Sequence, residues 1–232
     1  MIKISERLKY IADYIDNKTN ILDIGCDHGL LDIYLMQTKK DINITATEIN
    51  KKALDNAINN FKKNKLDKKI KTIHTNGLDN IDTTSINTIV IAGMGSHTIV
   101  GILYKNIKKI KKIDTLILQS NNDIDFLRKK ITSIGYYIEK EKLVKENNII
   151  YTIIKFKKGH KFYTNKQLYF GPYLLKENSN LFKEKSKIDL LKLKNIYKLI
   201  PKKYIFYKIK TIYKIYLYKN LQNSKNMLKY QL

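Results

Sequence analysis

Tryptophan is missing from this 232-residue chain, proline occurs twice and cysteine once, and 21 acidic residues face 45 basic ones. Each shortage excludes something. One cysteine, Cys26, rules out an internal disulfide, and four histidines scattered at His28, His74, His97 and His160 lack the spacing of metal ligands. No metal is therefore expected. Nowhere do about 18 apolar residues run together without charge, so no membrane-spanning helix is expected either. The opening Met1-Ile2-Lys3-Ile4-Ser5-Glu6-Arg7 has no apolar stretch of the kind a secretion signal needs, which makes the cytoplasm the expected compartment. The deficit of acids leaves a formal charge of +24, nearly all of it lysine, and such a field favours a polyanionic partner. RNA, DNA and an anionic membrane surface all qualify. Isoleucine, asparagine and tyrosine are abundant too, as an AT-rich genome would produce, so composition alone does not separate mutational drift from a binding surface.

What is present suffices for a folded core: 43% of the residues are hydrophobic, and the length allows one ordinary domain with an appendage. Short β-branched runs near residues 20–24, 42–48, 70–74, 86–92, 114–119, 135–142 and 149–157 read as strands. Helical periodicity fills 4–16, 27–38, 50–64, 96–109 and 123–133. The alternation predicts an α/β protein with a mostly parallel sheet covered on both faces. The gap between the last two strands is too short for a crossover helix, so they should form an antiparallel hairpin. Seven strands ending this way resemble the Rossmann-like sheet of class I methyltransferases.

Strand signals stop near Lys157-Lys158-Gly159-His160, which places a boundary between a domain of residues 1–158 and a helical one of 159–232. In the tail, Leu190, Leu193, Tyr197 and Ile200 share one helical face, and Ile205, Ile209, Ile212 and Tyr216 share another. Pro201 lies between them and could open a second helix at its first turn, giving a helical hairpin. Residues 183–232 hold fourteen lysines against Glu184 and Asp189, a net of +12, half the charge in about a fifth of the chain. Genome bias does not explain that asymmetry.

In an open parallel sheet, ligands bind beyond the carboxyl ends of the strands where the strand order reverses. The first strand leads into Asp23-Ile24-Gly25-Cys26-Asp27-His28-Gly29, a glycine turn with an acid where a dinucleotide loop would place glycine. Asp27 would repel a pyrophosphate. It suits a nucleoside with a positive centre and no phosphate, which describes S-adenosylmethionine. Gly25 and Gly29 permit close backbone approach, and Asp23 and Asp27 meet the donor's amino and sulfonium groups, with His28 beside them. The plainer alternative is that Asp27 or His28 caps the next helix. Glu48, followed by Ile49, ends the second strand nineteen residues after Gly29, the position from which a carboxylate accepts both ribose hydroxyls. Capping is again the alternative. Asn76-Gly77-Leu78 after the third strand would face the adenine edge or form a plain turn. Ala92-Gly93-Met94-Gly95 after the fourth strand would line the place where methyl and acceptor meet, or form a tight turn. The chain has no Asn/Asp-Pro-Pro-aromatic run of the kind used to hold exocyclic amines, which points to a ring nitrogen or another acceptor. Gln119, Asn121 and Asn122, after the fifth strand, offer uncharged donors and acceptors for a base edge.

Taken with Leu116-Ile117-Leu118-Gln119-Ser120-Asn121 and Phe170-Gly171-Pro172-Tyr173-Leu174-Leu175, the turn Asp23 to Leu31 and the Ala92-Gly93-Met94-Gly95 segment resemble the TrmK family of bacterial tRNA adenine-N(1) methyltransferases. The likeness runs nearly end to end with the motifs in the family's order. It implies a Rossmann-like donor domain, a C-terminal helical coiled-coil domain, and methylation of adenine 22 in the tRNA D arm; a monomer is expected. Asp27 matches an acidic position considered for catalysis in that family. Ser120 departs from it, standing where proline is usual, and no tryptophan follows Leu127-Arg128. Two competing readings are a retired enzyme that only binds nucleic acid or a membrane surface, and a nicotinamide dehydrogenase, against which Asp27 argues.

Overall fold

A computed structural model describes residues 1–227, with side chains as far as Leu221. The strands β1 (Asn20–Ile24), β2 (Asn43–Glu48), β3 (Ile70–His74), β4 (Thr88–Met94), β5 (Thr115–Ser120), β6 (Tyr136–Glu146) and β7 (Ile149–Lys158) form one sheet in the order β3-β2-β1-β4-β5-β7-β6. The first five are parallel, β7 runs antiparallel to β5, and β6 and β7 make the expected hairpin. The order reverses between β1 and β4. Strand period divides the core in two: Leu22, Ile24, Ile89, Ile91, Leu116 and Leu118 face one layer, Ile21, Val90 and Ile117 the other. Helices α1 (Glu6–Asp13), α2 (Leu30–Thr38) and α3 (Lys51–Lys63) cover the second face, and α4 (Ser96–Lys105), α5 (Ile107–Ile110) and α6 (Ile124–Ser133) cover the first.

Several elements differ from the sequence expectation. The helix expected from residue 27 begins at Leu30, because Asp27 and Gly29 take positive φ of 50° and 66° and form a turn instead. The helix expected over 96–109 breaks at Asn106, whose side-chain amide donates to the Ile102 carbonyl at 3.0 Å. Ala92-Gly93-Met94 does not follow β4 but ends it, with a register shift between Ala92 and Met94 and Gly93 at φ +80°.

The larger correction concerns the boundary at residues 158–159. One compact unit extends through Lys176, and the second begins at Glu177. Two short helices that periodicity did not reveal, α7 (Asn165–Phe170) and α8 (Pro172–Glu177), are bound to the sheet layer by buried polar contacts. Arg128 on α6 pairs with Glu141 on β6 at 2.6 Å, both essentially without exposure. Its Nη1 also donates to the Tyr169 carbonyl, while Glu141 Oε2 accepts from the Tyr173 amide. A Cβ on Gly171 would come within 2.7 Å of Arg128 Nη2, and its φ is +97°. Only glycine fits there.

In the second unit α9 (Asn180–Leu199) and α10 (Ile205–Met227) form the predicted pair. Pro201 lies in their connecting turn and does not open α10. Leu190 is buried, but the stripe Ile205, Ile209, Ile212 and Tyr216 is exposed, and the inward residues of α10 are Thr211, Tyr218 and Leu221. Tyr218 donates to Asp189 Oδ2 at 3.3 Å, so part of this interface is polar.

Candidate active site

The carboxyl ends of β1, β2, β4 and β5 converge where the strand order reverses, and the sequence explains how each is held there. The turn after β1 is pinned from below by the Thr47 carbonyl, which accepts from the Gly25 and Cys26 amides at 2.8 and 3.0 Å. Gly29 rests on the Phe61 ring of α3, and the Asn60 amide bonds the His28 carbonyl at 2.9 Å. A side chain on Gly29 would strike the ring. Neither Asp27 nor His28 caps α2 through its side chain, since the N-cap is Gly29 with no side-chain bond. Both are exposed, with Asp27 Oδ1 3.7 Å from His28 Nε2.

Glu48 does not cap α3 either, because Asn50 does so by accepting from the Ala53 amide at 3.1 Å. Three backbone amides instead hold its carboxylate: Ile49 and Asn50 donate to Oε1 at 2.9 Å, and Asp27 to Oε2 at 3.2 Å. The carboxylate is thereby tied to the β1 turn. Ile49 beside it is 61% exposed, an apolar surface bordering a polar one. Met94 reaches in from β4, where its Cε stands in the space a Gly25 side chain would take.

Asn76 is exposed in a tight turn, its carbonyl accepting from Asp79, while Gly77 packs on Ile102. The Leu78 side chain is wholly buried in the core, so only its backbone borders the site. Gln119, expected at a base edge, is wholly buried with its amide engaged: Oε1 accepts from the Gly93 amide and Arg7 Nη1, and Nε2 donates to Asn121. Asn122 is also committed, since its Oδ1 accepts from the Ser96 amide at the start of α4. Asn121 is exposed and donates to the Gly93 carbonyl at 2.7 Å. Ser120, at the position where the resemblance leads one to expect proline, bonds Ser96 Oγ and the Met94 carbonyl.

Sequence reasoning missed two residues. Arg7 of α1 reaches Gln119 and lies over the Tyr151 ring, 5.2 Å from its centroid. Its signal was its rarity, as one of two arginines in a lysine-rich chain. Asp32, on α2, is completely buried next to Asp23, which is 4% exposed, and neither of its carboxyl oxygens has a hydrogen-bond donor among the described residues. Its signal was an acid inside the apolar run Leu30-Leu31-Asp32-Ile33. Burial, with the nearby Glu48 charge, pushes the Asp23 carboxyl up to about 7, and burial with the Asp23 charge raises Asp32 as well. Burial and the same acids push the Cys26 thiol far up, so it is not a thiolate nucleophile.

The profile of the TrmK family, tRNA (adenine(22)-N(1))-methyltransferase, matches residues 21–221. The chain belongs to the TrmK family. The Bacillus subtilis tRNA (adenine(22)-N(1))-methyltransferase is 28% identical over 205 residues, 86% of each chain. TrmK from M. capricolum, solved with the natural cofactor product S-adenosylhomocysteine, is 30% identical with a TM-score of 0.83 over 94% of this chain and 96% of its own. A Streptococcus agalactiae protein of the NADB-Rossmann superfamily is 33% identical with a TM-score of 0.88, covering 95% and 97%. As a TrmK protein the chain is a tRNA-modifying methyltransferase, and the retired-enzyme and dehydrogenase readings fall away.

Proposed function

We propose that this TrmK protein binds S-adenosylmethionine over the ends of β1, β2 and β4 and methylates N1 of adenine 22 in tRNA. The observation that carries this reading is the Glu48 carboxylate, held by three backbone amides beside the acid-bearing β1 turn. A fixed carboxylate with exposed Ile49 next to it suits a ribose diol and the edge of an adenine. The turn offers carboxylates and no nest for a pyrophosphate. Asp23, Gly25, Asp27, His28, Gly29, Asn76, Gly77 and the Ala92 to Gly95 segment complete the proposed donor site. The backbone of Leu78 borders it.

Bound donor supplies a methyl group already activated by its sulfonium. The chain's contribution is alignment and exclusion of water. The ring nitrogen of adenine attacks with an in-plane lone pair, so no base is needed before transfer. Its product carries positive charge, and Asp27 is the exposed carboxylate available to stabilise that charge or take a proton from the exocyclic amine. Gln119 serves this reaction by fixing Gly93, Asn122 Oδ1 holds the start of α4, and the exposed Asn121 and Asn122 remain the polar side chains for the base. The lysine-rich α9–α10 unit supplies phosphate contacts for tRNA, whose target base must be turned out of its stack. A tRNA substrate suits an enzyme of the cytoplasm, acting as a monomer.

The test is to incubate tRNA with purified protein and labelled donor and map the modified nucleoside. Methyl transfer anywhere except an adenine N1 at position 22 would refute the assignment. Asp27→Asn is expected to keep donor affinity within about threefold while lowering turnover about a hundredfold or more. Calorimetry beside single-turnover assays separates the two, and equal losses in both would assign Asp27 to donor binding alone. Glu48→Ala, in contrast, is expected to weaken donor binding about tenfold to a hundredfold, read by the same calorimetry.

A further inference from the structure

The pair Asp23 and Asp32 presents a problem of hydrogen bonding. Asp32 sits in the first turn of α2 between Leu31 and Ile33, with no exposure, and neither of its carboxyl oxygens receives a hydrogen bond from a described residue. Its contact is Asp23, another carboxyl. Two carboxylates cannot satisfy each other, being acceptors only, and away from water they repel strongly. A proton between them turns the repulsion into a hydrogen bond.

Its position follows from the surroundings. The titratable groups facing Asp23 are Asp32 from α2, Glu48 at the end of β2 and the Cys26 thiol in the turn, while the facing residues of β2 and β4 are Ala46 and Val90. No cation among the described residues pairs with either acid. Asp32 lies deeper, with apolar neighbours on both sides, whereas Asp23 stands at the strand end that opens on the donor site. We propose that Asp32 is a positioning residue for the donor: it stays protonated, donates its hydrogen bond to Asp23, and leaves Asp23 as the single carboxyl that ionises to meet the ammonium end of S-adenosylmethionine. This rests on the donor site proposed above.

Donor binding is then coupled to a proton. Below the titration of Asp23 the pair holds two protons, and a cation arriving at Asp23 expels one to solvent. Above it Asp23 is already charged and nothing is released. Affinity therefore falls as pH drops and levels off as pH rises. S-adenosylhomocysteine shares the ammonium and lacks the sulfonium, so it should release the same proton.

Calorimetry of the full chain with both ligands, in buffers of different ionisation heat, tests this. We expect between about half and one proton released at about pH 6, almost none at about pH 8, and affinity about tenfold weaker at the lower pH. Asp32→Asn, which still donates to Asp23, should bind within about threefold of the parent at the higher pH. Asp32→Ala, which cannot donate, should bind about tenfold more weakly, with its pH profile moved upward. Should Asp32→Ala fail to fold, proton counts on the parent and Asp32→Asn still decide. Binding without proton release at either pH overturns the proposal, as does Asp32→Asn binding as weakly as Asp32→Ala. Proton release by S-adenosylmethionine but not by S-adenosylhomocysteine overturns the assignment to the ammonium group. Folded protein that binds neither ligand at any pH overturns the donor site itself.

Discussion

Truncation after Lys176 is expected to yield a folded protein that binds S-adenosylmethionine within about threefold of the full chain, yet binds tRNA at least about a thousandfold more weakly. The first unit contains every proposed donor contact, and the second begins at Glu177. What is lost is the cluster of fourteen lysines opposed by Glu184 and Asp189, and with it most of the counterion release on binding. Filter binding over a range of salt should show a steep slope for the full chain and a shallow one for the truncated form. Equal tRNA affinity in both would place the RNA contacts on the first unit. A cut at residue 159, the boundary composition suggests, should behave differently. It removes α7 and α8 and leaves the buried Arg128–Glu141 pair without its backbone partners, so that shorter protein is expected not to fold.

The second large effect concerns that pair directly. Arg128→Ala is expected to destabilise the first unit by about 3–5 kcal/mol, because Glu141 is left charged, buried and unpaired. Urea unfolding at neutral pH would measure it. Replacing both partners together, as Arg128→Met with Glu141→Leu, should cost less than the single change, since no charge is stranded. Gly171→Ala should also be destabilising: its Cβ would meet both charged groups, at a φ that L-residues rarely adopt. If Arg128→Ala unfolds at nearly the parent's urea concentration, the pair is not what holds residues 159–176 against the sheet.

The Phe170-Gly171-Pro172 sequence illustrates how far a linear reading reaches. As a motif it marked a resemblance and nothing more. Its purpose, a glycine pressed on an ion pair formed by α6 and β6, depends on residues 30 to 43 positions away. No local pattern carries that information. The register shift at Gly93 was hidden for the same reason, since it is settled by pairing with β5, whereas the break at Asn106 rests on a bond to Ile102 only four residues away. Gln119 shows the reverse error. Polar residues after a strand look like ligand contacts, but Arg7, Gly93 and Asn121 engage both ends of its amide, while Asn121 and Asn122 are the exposed pair.

The amino-acid order alone determined the seven strands, their parallel run with a final hairpin, the placement of Asp27 and Glu48 at strand ends, and the charge gathered in the tail. These are local or additive properties: a period of two or 3.6 residues, a left-handed turn that glycine permits, a sum of charges. Tertiary structure alone decided where the first unit ends, which side-chain amides are engaged by the protein itself, and that Asp23 and Asp32 are both buried. Each depends on how much water is left around a polar group once distant segments close over it, and burial is a property of the assembled fold.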